Sequence, residues 1–237
     1  MAPELGLGNS LSAEPVSRSM LMNAYSVDFD GTNQYVATTL TPNFIHTNAT
    51  MSYWCNLDNF TGYNIMGMHN SRRFYAGFFN QTVAMGVQNV NNLGSGEDVE
   101  DVTTAGKWHH ICLVANGGTA TFYLDGISRG TMSYTQDAAT NPNTNLFIGA
   151  TSTASSSDYH MEGLIDEVAI FNSALSAAQV SSIYNGGKPQ SLASYNPVGW
   201  WRMGDNDGGT GSTITDQGSG GNNGTLTNSP AFSTTIP

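Results

Sequence analysis

Basic residues are scarce in this chain: 7 Lys and Arg stand against 18 Asp and Glu in 237 residues, for a formal net charge of −11. Nucleic acids and anionic lipid surfaces are both held by clusters of Lys and Arg, so neither is expected as a partner. Cysteine is almost absent, with only Cys55 and Cys112, too few for a disulfide-stapled scaffold. No apolar run approaches the ~20 residues of a membrane-spanning helix, which excludes membrane insertion by that route. The opening MAPELGLGNSLSAEPVSRSM lacks a cationic start followed by an apolar core, so no secretory signal is read in it. The expectation is a protein kept in its producing cell until assembly or release, or one whose leader has been removed.

What the chain does have is turn chemistry. Charged residues are only 11%, while there are 27 Gly among abundant Ser, Thr and Asn, a composition that suits many short strands and tight turns. Tyr25, Val27 and Phe29 alternate with polar residues, Gly31-Thr32-Asn33 turns the chain, and Tyr35-Val36-Ala37 returns, which reads as a half-buried hairpin. Further strands are expected near 50–58, 62–68, 73–80, 83–89, 107–115, 119–125, 145–150 and 161–171. That spacing is that of an all-β, two-sheet antiparallel jelly-roll sandwich. Loops 91–100, 136–144 and 151–158 are long enough to reach a partner.

One short helix is expected at 177–184. Ser176 and Gln179 form a capping box, Leu175 and Val180 the matching hydrophobic staple, and Gly186, Gly187 and Pro189 stop the helix. Residues 1–22 show no periodicity and read as an N-terminal arm, with the sandwich at 23–237. Within it, 196–237 is too short for a core of its own. It reads either as a closing segment folded back on the same domain or as a truncated repeat or a strand donated to a neighbour.

An ordered series of motifs carries a family resemblance: Phe29-Asp30-Gly31-Thr32-Asn33-Gln34-Tyr35-Val36, Met51-Ser52-Tyr53-Trp54, Gly106-Lys107-Trp108-His109-His110-Ile111, Phe122-Tyr123-Leu124-Asp125-Gly126, and the run from Ile165 to Gly187. It resembles laminin-G-like and pentraxin-like jelly rolls of the concanavalin A-like lectin and glucanase superfamily. The late segment with Trp200-Trp201-Arg202 is similar to the strand that opens many laminin-G-like domains. The arm and this tail are also similar to chains of tailed bacteriophages. The resemblance implies a non-catalytic recognition and structural module on a virion surface, as a head decoration, fibre or tail accessory protein. The arm would bind other virion or surface proteins in an oligomer or larger assembly, and the loops would meet a glycan. The alternatives are a secreted or cell-surface lectin or adhesin and, third, a glycan-processing enzyme.

The candidate chemistry follows from that resemblance and from residue type. Laminarinase-type relatives carry E-x-D-x-x-E on one strand; Glu162, Asp166 and Glu167 do not reproduce it, and no catalytic residue is assigned. A structural calcium is implied near Asp30, Asn33 and Asp166, with the alternative that Asp30 caps its turn and Asp166 accepts backbone N–H groups. Tyr63, Tyr75, Tyr159 and His160 are candidate sugar contacts near loop ends. Cys112 falls where pentraxins place half of a disulfide, but Cys55 lies three residues past the partner's position. Buried free thiols and a bridge both remain open at this point.

Overall fold

The computed structural model describes residues 21–45, 47–68, 73–88, 90–92, 97–136, 145–151 and 160–237. The strands run in chain order as β1 (Ser26–Asp30), β2 (Tyr35–Thr38), β3 (Asn48–Leu57), β4 (Tyr63–Met68), β5 (Arg73–Phe79), β6 (Thr82–Gln88), β7 (Val90–Asn92) and β8 (Trp108–Asn116). They continue as β9 (Thr119–Leu124), β10 (Ile127–Ser133), β11 (Phe147–Ile148), β12 (Glu162–Phe171), β13 (Gly199–Trp201), β14 (Thr213–Ile214), β15 (Gly224–Thr227) and β16 (Ala231–Ser233). One sheet is ordered β10-β9-β8-β3-β12-β1-β16, with β13 also on β12; the other is β14-β15-β2-β11-β4-β5-β6-β7. The pairings are antiparallel, and the two sheets make the expected jelly-roll sandwich.

Alternation builds the core. On β3, Met51, Tyr53, Cys55 and Leu57 enter the cluster between the sheets, together with Phe74 and Phe78 of β5 and Val168 and Ile170 of β12. Their neighbours Ser52, Trp54 and Asn56 therefore lie on the other face of the first sheet. That outer face is closed by α1 (Ala177–Tyr184), which buries Val180 and Ile183 against Cys112, Val114, Phe171 and Trp200. Each buried aliphatic side chain contributes roughly 1.5–3 kcal/mol. The capping box forms as the sequence indicates. The stop differs: Asn185 takes the left-handed cap at φ 49°, one residue before Gly186, a conformation Asn tolerates. Cys55 and Cys112 are both buried and free; one faces the core and the other the helix, so a bridge between them would have to cross the sheet.

The tail completes both sheets. The strand β12 offers one flank to two partners end to end: β1 pairs with its first half and β13 with its second, either side of a bulge between Asp166 and Ala169. Further on, β15 pairs with β2 and β16 with β1. Adjacent Trp200 and Trp201 face opposite ways, as extended neighbours must, yet neither is open to water: Trp201 is in the core and Trp200 lies beneath α1. A single carboxylate shapes their loop. Asp216 accepts the backbone N–H of Trp200, Gly218 and Asn222, each at 2.7 Å.

Candidate functional site

Polar and aromatic chemistry collects at three places, and the first is the bulge. Glu167 sits there with φ 46°, which turns its side chain beneath the strand junction. Its Oε2 accepts Trp200 Nε1 at 2.6 Å and its Oε1 accepts Arg202 Nε at 2.9 Å. Arg202 also donates to Asp205 Oδ2 at 2.6 Å and to the Met22 carbonyl, and its guanidinium lies 5.6 Å from the Trp200 ring centroid. Asp205 Oδ1 in turn accepts the backbone N–H of Ala24 and Tyr25. Asp166, fully buried, accepts Asn23 Nδ2 at 2.9 Å and the Glu167 backbone N–H at 2.7 Å. Two carboxylates, Glu167 and Asp205, thus share one guanidinium, with Asp166 beside them on neutral donors.

Burial, and then the neighbouring Glu167 charge, push the Asp166 carboxyl well above the usual carboxylate range. Burial also pushes Glu167 up to about 7 against the opposing pull of Arg202. The proton belongs on Asp166, because Glu167 has a cationic donor and an indole N–H while Asp166 has only neutral donors. Both carboxyls are spent on structure and neither faces a cleft, as an acid and nucleophile pair would have to.

The second place lies under the last turn of α1. Ser52 Oγ and His110 Nε2 are 2.8 Å apart, the contact of a nucleophile and its base. Both are buried, beneath Trp54 at 5.1 Å and Tyr184 at 6.2 Å from the imidazole. Desolvation drives His110 down to about 4. Asp125, which could have oriented that ring, instead holds His109 Nδ1 and the His110 backbone N–H, both at 2.8 Å. The pair is sealed and keeps a neutral imidazole.

The third place is the rim beyond the β1–β2 turn. Tyr35 meets Phe147 edge to face at 5.6 Å and 86°, and lies 6.4 Å from the His160 ring. Tyr35 and His160 are half-buried, and His160 is fixed by its bridge to Ala150. Desolvation lowers the His160 pKa, with the Asp30 charge opposing, and its Nδ1 is enclosed without a hydrogen-bond partner. Asp30 stands opposite Glu162 in the register. Glu162 is bound by Asn59 Nδ2 at 2.6 Å, while Asp30 Oδ1 accepts the Thr32 backbone N–H at 2.9 Å.

The sequence-derived sites are redistributed by this geometry. Asp30 and Asn33 are at the turn, but Asp166 is four residues along β12 from Glu162, the residue that faces Asp30, roughly 13 Å by strand rise. A calcium ion gathers oxygens at about 2.3–2.6 Å, so these three do not form one coordination sphere. Among the described residues no group of three or more His, Cys, Asp and Glu is placed to hold a metal. Asp30 makes the turn-capping contact of the alternative reading.

Of the sugar contacts, His160 is at the rim. Tyr63 opens β4 opposite Phe79, and Tyr159 lies outside the described residues. Tyr75 requires correction: it is fully buried, with its ring laid over Gly86 where any Cβ would collide with it, so it has no face to offer a sugar. Tyr35 and Phe147 are what sequence reasoning missed. Tyr35 stood inside a quoted motif and Phe147 inside the strand expected near 145–150, and only the pairing of β2 with β11 shows that they share a face.

A model of the concanavalin A-like lectin/glucanases superfamily matches residues 30–181, well over half of the chain. No curated protein sequence is significantly similar. Among solved structures, one from Bacteroides ovatus described as a carbohydrate-binding protein aligns with a TM-score of 0.68 and 17% identity, over 92% of this chain and 61% of that one. The chain therefore spans about three-fifths of that relative. A heptameric pentraxin from Limulus polyphemus aligns at 0.55 and 16%, over 71% of this chain and 86% of its own. Domain 4 of an extracellular arabinanase from Geobacillus stearothermophilus, solved with arabinotriose, aligns at 0.50 and 18%, over 67% and 76%. At such identities the likeness is one of fold, a lectin-like fold of carbohydrate-binding modules.

Proposed function

The chain belongs to the concanavalin A-like lectin/glucanases superfamily, and from that premise we propose that it is a non-catalytic glycan-binding module whose contact surface is the rim of Tyr35 and His160, backed by the buried Phe147. The observation that carries this is the half-buried pair of Tyr35 and His160, with Tyr35 packed edge to face on the buried Phe147 ring and the Asp30 charge acting on His160. Rings stack on the C–H faces of sugars, and a few polar groups fix the hydroxyls. The buried carboxyls at the bulge and the sealed Ser52–His110 pair support a binding rather than a hydrolytic role.

A glycan array probed with the full chain, followed by calorimetry on the best hit, tests the proposal. Tyr35→Ala is expected to weaken that hit about five- to tenfold, the worth of one aromatic contact. An array without hits, or a hit indifferent to Tyr35, removes the rim from the account.

Display on a virion surface as part of an oligomer, with residues 1–22 as the attachment arm, belongs to the same proposal and rests on the resemblance to phage-encoded chains. Native mass spectrometry of the full chain checks it: an assembly that falls apart on removal of 1–22 is expected, and a stable monomer counts against it.

A further inference from the structure

We infer that the rim selects uncharged saccharides over acidic ones, through the Asp30 carboxylate, which stands opposite Glu162 and beside the His160 ring. The inference rests on the glycan-binding reading and adds the ligand's class to it.

Three observations converge. Asp30 and Glu162 are directly opposed on neighbouring antiparallel strands, so their side chains share a face and a Cβ at Gly31 would touch Glu162. The Asp30 charge is felt on both sides: it acts on His160, and Asp28 is shifted upward by burial and then by Asp58 and Asp30. The ring that could have answered an anion is desolvated, and its Nδ1 is enclosed, so at neutral pH His160 supplies no positive charge.

A uronate, sialate or sulfate brought onto Tyr35 would set a second negative charge near that of Asp30. The molecule as a whole, at −11, repels it on approach. A neutral hexose or pentose meets none of this. Its hydroxyls can donate to the Asp30 carboxylate, and its ring faces Tyr35.

The test compares matched ligands on the full chain. The best neutral hit from the array and the same oligosaccharide carrying a carboxylate at C6 are titrated at low salt and in 0.5 M salt, a roughly tenfold change of ionic strength that shortens the screening length to a few ångströms. The neutral form is expected to bind about tenfold tighter at low salt, and the gap to close substantially at high salt. Asp30→Asn retains the oxygen that accepts the Thr32 N–H, so the turn persists; it is expected to narrow the gap about threefold, as removing one unit charge at ~6 Å in water should.

An acidic form that binds as tightly as the neutral one at low salt overturns this inference and leaves glycan binding standing. A gap that ignores both salt and Asp30→Asn also overturns it, because the preference would then be one of shape. Absence of any hit overturns the glycan-binding reading and this inference together.

Discussion

The bulge at Asp166–Glu167 and the rim at Tyr35 are both made where β1 and β12 run side by side, one at each end of the shared stretch, and they treat polar groups in opposite ways. At the bulge, Glu167 is met by Trp200 and Arg202, Arg202 by Asp205 and Met22, and Asp205 by Ala24 and Tyr25, so that almost every charge is answered inside the fold. At the rim, His160 keeps an unanswered nitrogen, Asp30 faces Glu162, and Tyr35 and His160 are left half open. A site whose partners are all internal holds the chain together. One whose partners are missing is where another molecule can contribute.

The sharpest way to break this comparison is at the bulge, where Arg202→Ala should have the largest effect. It would leave Glu167 and Asp205 buried without a cation and cut residues 22–25 loose from the tail. Removing one partner of a buried ion pair costs about 3–5 kcal/mol. Urea unfolding should show that loss, and hydrogen exchange should show faster opening at the Ala24 and Tyr25 amides that Asp205 now holds. A loss below about 1 kcal/mol would mean that the junction does not close the domain.

Asp166→Asn should act next, and in the opposite direction. The Asp166 pKa is raised in the folded chain by burial and then by Glu167. Its contribution to stability is therefore complete below its unfolded value near 4 and is lost as pH rises through the folded value. Asn fills the same volume, keeps an oxygen for the Glu167 N–H and never ionises. The variant should melt above the wild type at pH 8, with the difference shrinking as pH falls and vanishing near pH 4. A variant less stable at pH 8 would show that the ionised carboxylate is wanted there, as it would be if it bound a cation.

The contrast between the two sites also explains what the sequence made legible. The helix at Ala177–Tyr184 was readable because Ser176 and Gln179 are three residues apart and cap it locally. Most strands were readable because their alternation is local too. Five were not: β7, β14, β15 and β16 are only two to four residues each, and β10 is a largely exposed edge strand, Ile127–Ser133, whose ISRGTMS has no apolar face to alternate. The bulge network was out of reach because Glu167 and Arg202 are 35 positions apart, and nothing local announces that Glu167 takes φ 46°. At the rim the individual residues were in view, with His160 and Asp30 each singled out for a different chemistry. Their neighbourhood was not, since it needs the β2–β11 register to bring Phe147 beside Tyr35.

Tyr35→Ala sharpens the comparison from the other side and should have the smallest effect on stability. The ring is half-buried and its described ring partners are Phe147 and His160, so truncation removes one edge-to-face contact, about 0.5–1.5 kcal/mol, and leaves the core between the sheets untouched. Backbone pairing of Tyr35 with Thr227 does not depend on the side chain. The expected result is a melting temperature within a few degrees of wild type together with the loss of glycan affinity given above, a separation of stability from binding that no substitution at the bulge should reproduce. If Tyr35→Ala instead unfolded the domain as Arg202→Ala should, the rim would be a second structural junction, and its unanswered imidazole would need an internal explanation.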